Sequence, residues 1–191
     1  MKKIPTLFER TFEGHNVVNI TDKVTEGMEW VLNGEGTATT KYDGACCAVI
    51  NGEFYKRYDA KCGKKPPEGA IPCCDPDPIT GHHPHWVKVD FDAPENKWFV
   101  QACLELPVNH HEIKYATYEA VGEHFNGNPY DKKGDYLIHH GNDVVDVERS
   151  FEGIKKYLEE NYIEGLVFWK DGEPRCKIKR SDFGFEWGNK R

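Results

Sequence analysis

The chain has 191 residues, a length that fits one domain with little room for a second. With 38% hydrophobic and 30% charged residues its composition is that of an ordinary globular protein, which excludes a largely disordered chain. A net charge of -7 argues against a protein that coats nucleic acid by charge alone.

The opening MKKIPTLFER has two lysines but no apolar stretch behind them, so it does not read as a signal peptide. No apolar run approaches the ~18 residues that span a bilayer. Seven cysteines, with adjacent pairs at Cys46-Cys47 and Cys73-Cys74, make a poor disulfide framework. Reduced thiols and a cytoplasmic location are expected.

In chain order, residues 1–40 read as strands and turns, with Gly34 and Gly36 in loops. Ala45–Ile50 is a short apolar run followed by Asn51-Gly52 and then FYKRY, a strong hairpin signal. Residues 63–96 are rich in Pro, Gly and Asp and read as a long ordered loop or insertion. Trp98–Leu106 and Thr117–Val121 are apolar enough for buried strands, with a helix open for the first, and Tyr136–His140 is a further strand. Ser150 is placed to cap a helix through Asn161, with Phe151, Ile154, Tyr157 and Leu158 on one face. Ile163–Lys170 and Pro174–Arg180 flank Asp171-Gly172, a second hairpin signal. The fold class is therefore α+β with mainly antiparallel sheets, in one domain over residues 1–191.

The two turns also predict register. A two-residue turn at Asn51-Gly52 pairs Ile50 with Glu53 and Cys46 with Arg57. One at Asp171-Gly172 pairs Lys170 with Glu173, Leu166 with Lys177 and Glu164 with Lys179. Alternation then puts Glu164, Lys177 and Lys179 on one face, and Val167, Cys176 and Ile178 on the other. A carboxylate with two ammoniums is either a cross-strand salt bridge or a platform for phosphate and metal. Basic residues also cluster, as Lys56, Arg57, Lys61, Lys64 and Lys65, and as Lys170, Arg175, Lys177, Lys179 and Arg180. Such clusters suit a phosphate site of limited reach, beside the plainer reading of solvated faces.

Lys41-Tyr42-Asp43-Gly44 resembles the K-x-D-G signature of the covalent nucleotidyltransferases, which comprise DNA ligases, RNA ligases and mRNA capping enzymes. Arg57, Glu119 in TYEAVG, Glu164-Gly165 in IEGLVFW and Lys177-x-Lys179 in CKIKR follow in the order of that superfamily's later motifs. The strings KYDGACC, DPDPITGH and YEAVGEHFNGNPY are similar to a small family, with vertebrate members, that seals 5′-phosphate to 3′-hydroxyl RNA ends.

The resemblance implies a ligase-type adenylation domain and an ATP-dependent RNA ligase active in RNA repair. Lys41 would be the nucleophile that becomes lysyl-AMP. Lys177 and Lys179 would hold the α-phosphate and, as neighbouring cations, help make the Lys41 amine neutral. Asp43, Gly44, Arg57 and Glu119 would contact the nucleotide, and Glu164 would sit near both the nucleotide and Mg²⁺ or Mn²⁺. An aromatic platform for adenine is implied near the strand YLIHHG, at Ile138, His139 or His140. The partners would be RNA ends, with no membrane and no obligate protein partner. Few residues follow Lys179, so no OB domain is expected, and grip on RNA would fall to the catalytic face or to residues 63–96.

Other readings compete. A GTP-dependent capping-type guanylyltransferase uses the same chemistry. A nucleotide- or RNA-end-binding module without turnover would have no need of an intact Lys41. A DNA ligase is disfavoured for want of duplex-clamping domains. Cys73, Cys74, His82, His83 and His85 could ligate zinc, but their spacing does not close a tetrahedron, and a Pro-stiffened loop with surface histidines is the plainer reading. Trp86, Trp98 and Trp169 are expected in the core or packed under loops.

Overall fold

Asn51 and Gly52 adopt left-handed backbone (φ 50° and 79°), as do Asp171 and Gly172 (φ 55° and 74°). Two such residues in succession make the tight turn whose twist matches a hairpin. The first joins β4 (Ala45–Ile50) to β5 (Glu53–Ala60), the second β11 (Gly165–Lys170) to β12 (Glu173–Lys179). The computed structural model describes residues 3–13, 16–61, 63–78 and 80–188 and, outside 16–18, their side chains. Cys62, residue 79 within DPDPITGH and the first two residues of MKKIPTLFER lie outside the described residues.

The fold is mixed α+β with mainly antiparallel sheets. The chain divides into two compact units, crossing from one to the other between Tyr42 and Asp43 and back between His140 and Gly141.

The unit Asp43–His140 holds a six-stranded sheet in the order β6 (Ile71–Pro72), β7 (His83–Lys88), β5, β4, β8 (Tyr115–Gly122), β9 (Asp135–His139). One face carries Cys47, Val49, Phe54, Ala116, Tyr118 and Ala120 into a core. Helix α1 (Lys97–Leu104) supplies Ala102 and Cys103 to the same core, with Trp98 and Phe99 packed against it. Of WFVQACLEL, Trp98–Leu104 is thus helical rather than a strand. A 3-10 turn, Pro94–Asn96, leads into it with proline at its start, where no amide hydrogen is needed. Its buried residues are too few and too closely spaced for the alternation of a strand.

Residues 63–96 are likewise not all loop. His83–Lys88 runs antiparallel to β5 from Tyr55↔Lys88 to Ala60↔His83. Pro84 is tolerated in this strand, and Trp86 is 3% exposed. Composition hid the strand because His and Pro interrupt its apolar alternation.

The other unit comprises Lys3–Tyr42 and the chain from Gly141 onward. It contains a four-stranded sheet ordered β10 (Val144–Val145), β3 (Thr37–Lys41), β11, β12, and a hairpin of β1 (Phe8–Glu13) with β2 (Asn16–Val24). Helix α2 (Phe151–Glu160) begins at Ser150, whose hydroxyl accepts the Gly153 amide at 2.9 Å. Its buried Ile154 and Leu158 pack with Leu166, Phe168, Cys176 and Ile178 beneath the sheet. Among the described residues no helix is long and apolar enough to cross a membrane.

One register departs from the sequence expectation. Lys170 pairs with Glu173 as predicted, but a bulge between Phe168 and Trp169 shifts the rest of the hairpin by one residue. Leu166 therefore faces Ile178, not Lys177, and Gly165, not Glu164, faces Lys179. Val167 pairs with Lys177 and shares its face instead of opposing it.

Candidate functional site

The sheet of β3, β11 and β12 lays out a row of side chains. Gly165 pairs with Lys41 on one side and with Lys179 on the other, and Val167 pairs with Thr39 and Lys177. Paired residues share a face, so Lys41, Lys177 and Lys179 project together, away from buried Leu166, Cys176 and Ile178. Gly165 makes this row close-packed. A Cβ there would overlap the Ile178 carbonyl oxygen, so the strands could not keep their spacing with any other residue.

Glu164 ends the loop before β11 and is 5% exposed. Its Oε2 accepts Lys41 Nζ at 2.5 Å and its Oε1 accepts Lys179 Nζ at 2.6 Å. A buried carboxylate needs such compensation. Lys177 is different. Burial first, then the Lys41 and Lys179 ammoniums, hold its pKa down to about 8, with Glu164 opposing. Arg10 stands near enough to add to this lowering, and is tied through Asp182 Oδ1 at 2.5 Å. Asp182 Oδ2 in turn accepts the Lys179 amide at 2.8 Å. Nε of Arg10 is buried and has no partner among the described residues. Arg10, Asn19, Lys179 and Ser181 line a cleft of about 560 Å³. The sum is a cationic surface suited to an anion.

In the other unit, Gly44 N–H donates to Glu119 Oε1 at 3.1 Å, and the Asp43 amide donates to Tyr130 Oη at 2.6 Å. Asn126 Nδ2 reaches both Asp43 Oδ1 and the Gly44 carbonyl at 2.8 Å. Gly44 is required here, because a Cβ would overlap the Ala120 carbonyl oxygen. The string HFNGNPY therefore has a physical role, since its Asn126 and Tyr130 fix the Asp-Gly of the motif.

Strand pairing sets Cys46 opposite Glu119, and Glu119 opposite Ile138. The ladder of β4 with β5 runs in the predicted register to Cys47↔Lys56, one step before Cys46 and Arg57. Arg57 alternates to the same face as Cys46, close enough to act on its charge. Burial first, then Glu119, pushes the Cys46 thiol up to about 12. His140 Nε2 lies 3.0 Å from Glu119 Oε2, and its Nδ1 lies 3.0 Å from Thr117 Oγ1. His139 instead pairs with Tyr118 and meets its ring edge-on at 5.2 Å. Of the residues weighed as a platform, Ile138 shares the face of Glu119 and His140 bonds to it, while His139 sits on the opposite face and is exposed.

The basic clusters separate. Lys56 turns inward, to Asn96 Oδ1 at 2.6 Å and over the Phe99 ring. Lys61, Lys64 and Lys65 are exposed. Lys170 pairs with Glu35 at 2.7 Å. Arg180 donates to the Leu158, Asn161 and Glu186 carbonyl oxygens, so it secures the end of α2. Only Lys177 and Lys179 of that cluster join Lys41. Among the described residues, Cys73, Cys74, His82, His83 and His85 do not converge as metal ligands. His85 is buried against the His83 carbonyl, and His82 lies 3.4 Å from Asp59. Trp169 donates to Thr39 Oγ1 at 2.9 Å, and Trp98 stacks on His124.

Sequence reasoning missed Arg10, Asp182, Thr117, Asn126 and Tyr130. Arg10 and Asp182 are 172 residues apart, and no local pattern links them. No protein-family model matches the chain, and no curated protein matches it.

Proposed function

We propose that the protein is an ATP-dependent RNA ligase with a ligase-type adenylation fold, using Lys41 as its nucleophile. The observation that carries the reading is the convergence of Lys41, Glu164, Lys177 and Lys179, drawn from distant parts of the chain, at one cationic surface. A cross-strand salt bridge alone would need one lysine for Glu164. Here Lys177 is held in a costly environment that an anion would relieve.

In this mechanism the Lys41 ammonium gives its proton to solvent and the neutral amine attacks the α-phosphorus of ATP. An N–P bond forms as the P–O bond to pyrophosphate breaks. Lys177 and Lys179 hold phosphate oxygens and balance the charge that develops on them. When the Lys41 nitrogen becomes the uncharged nitrogen of an anionic phosphoramidate, Glu164 loses an ammonium partner, and the oxygen that held it would be free to hold a metal. As the buried carboxylate beside these lysines, Glu164 would hold Mg²⁺ or Mn²⁺, for which one protein carboxylate suffices. The metal would supply further charge neutralisation at phosphate. Glu119, Arg57, Asp43 and Gly44 belong to nucleotide recognition by the resemblance, and Asn126 and Tyr130 hold that loop. A 5′-phosphate RNA oxygen then takes the adenylyl group, freeing the Lys41 nitrogen. Attack by a 3′-hydroxyl on the 5′-phosphorus finally expels AMP.

The test is joining of RNA strands with 5′-phosphate and 3′-hydroxyl ends on a gel, beside the matching DNA and with ATP or GTP. Joined RNA with ATP is the expected result. Adenylated protein that passes AMP to no RNA end, across salt and metal conditions, overturns the ligase reading.

A further inference from the structure

We infer that Cys46, Glu119 and His140 form a binding site for a divalent cation of the zinc class. The site lies wholly within the unit Asp43–His140 and uses none of Lys41, Glu164, Lys177 or Lys179. It shares Glu119 with the nucleotide recognition proposed above but requires no adenylation of Lys41, so metal binding is read separately from ligase activity.

The topology brings the ligands together. Cys46 and Glu119 are directly paired on neighbouring strands, on the face away from the core. His140 follows β9, and its backbone amide donates to the Thr117 carbonyl oxygen at 3.0 Å, anchoring the ring beside Glu119. One sulfur, one nitrogen and one oxygen all lie within 4.8 Å of one another. Around a tetrahedral zinc with bonds of ~2.0–2.3 Å, ligand atoms stand roughly 3.3–3.8 Å apart. The Glu119–His140 separation is 3.0 Å and Cys46 Sγ lies within 4.8 Å of both, so side-chain rotation at Cys46, Glu119 and His140 would bring the triad to that geometry.

Each oxygen and nitrogen ligand is also held from behind. Thr117 Oγ1 lies 3.0 Å from His140 Nδ1, which fixes the ring with Nε2 directed at Glu119. The Gly44 amide holds Glu119 Oε1 and leaves Oε2 for the ion. Such outer contacts orient metal ligands and strengthen their binding. The Glu119 and His140 side chains are 15% and 18% exposed and Cys46 is partly exposed, so the site is not sealed from solvent.

The donor set chooses the metal. A thiolate with an imidazole favours zinc-like ions over Mg²⁺, which takes oxygen ligands. On binding, the Cys46 sulfur gives its proton to solvent and forms the metal–sulfur bond. Three protein ligands leave a fourth position for water or an exogenous group.

The experiment is titration of the reduced, metal-stripped full chain with Co²⁺, read by thiolate-to-cobalt charge-transfer absorption and reversed by Zn²⁺. One equivalent should saturate the band. Cys46→Ser should abolish it, Cys73→Ser with Cys74→Ser should keep it, and Thr117→Ala should weaken affinity by about 10-fold or more. On the unsubstituted chain, Zn²⁺ should protect Cys46 from alkylation, read by peptide mass. A missing band, a band that survives Cys46→Ser, or Cys46 alkylated equally with and without Zn²⁺ overturns the site.

Discussion

Lys41 and Glu164, 123 residues apart in sequence, meet at 2.5 Å, and the same carboxylate holds Lys179 at 2.6 Å. Glu164 is thus the shared counter-ion of two lysines whose strands flank Gly165. Replacing it leaves the ammoniums of Lys41, Lys177 and Lys179 without their central carboxylate. Breaking a buried pair commonly costs 3–5 kcal/mol, and the partial exposure of these lysines reduces this, so Glu164→Gln should destabilise by about 1–3 kcal/mol. Urea unfolding measures it. An unchanged midpoint would show that the pairs contribute nothing.

Gly165 sets the distance between the two lysine-bearing strands. Gly165→Ala should cost about 1–3 kcal/mol by forcing the β11–β12 backbones apart, and should strongly reduce adenylation with it. Gly172→Ala makes the control: its Cβ meets nothing within 4 Å, and only its left-handed φ of 74° is penalised. That substitution should cost about 1 kcal/mol and leave adenylation near normal. Equal adenylation by the two variants would contradict this account of Gly165.

Lys177 makes a pH-dependent contribution. Its pKa falls from 10.5 to about 8, with burial as the first cause and the Lys41 and Lys179 ammoniums next. Between about pH 8 and 10.5 the unfolded chain binds the extra proton, so this residue makes stability rise with pH across that window. Below pH 8 its cost is fully present. Lys177→Met should therefore be more stable than the unsubstituted chain at pH 7, and the difference should shrink towards pH 10. The same variant should lose most adenylation. Denaturant titrations at the two pH values decide it, and a less stable variant at pH 7 would contradict the burial account.

The two glycine turns and the cap at Ser150 were legible because each rests on short-range chemistry. Asn51-Gly52 and Asp171-Gly172 favour the left-handed pairs that they adopt. The bulge between Phe168 and Trp169 was not legible, since no residue pattern in the hairpin marks it. Glu164 still reached Lys179 because it precedes the strand and does not obey its alternation. The His140–Glu119–Cys46 cluster had no sequence spacing to announce it, since long-range pairing of β4 with β8 and of β8 with β9 creates it. Lys56 was grouped with its basic neighbours, but strand alternation turns it towards Asn96 and away from Arg57.

RNA grip, on the ligase reading, should use the exposed Lys61, Lys64 and Lys65 and not Lys56. Lys64→Glu with Lys65→Glu should weaken RNA joining, and joining should fall with added salt less steeply than for the unsubstituted chain. Adenylation of Lys41 should be nearly unchanged. Equal joining by the variant across a salt series would remove these lysines from the interface.

Intact-mass spectrometry after incubation with Mg²⁺ and ATP tests the central claim most directly. The account predicts a gain of one adenylyl group, mapped by peptide mass to Lys41, and none in Lys41→Arg, which should still melt cooperatively. No adduct on the unsubstituted chain, or the same adduct on Lys41→Arg, would contradict it.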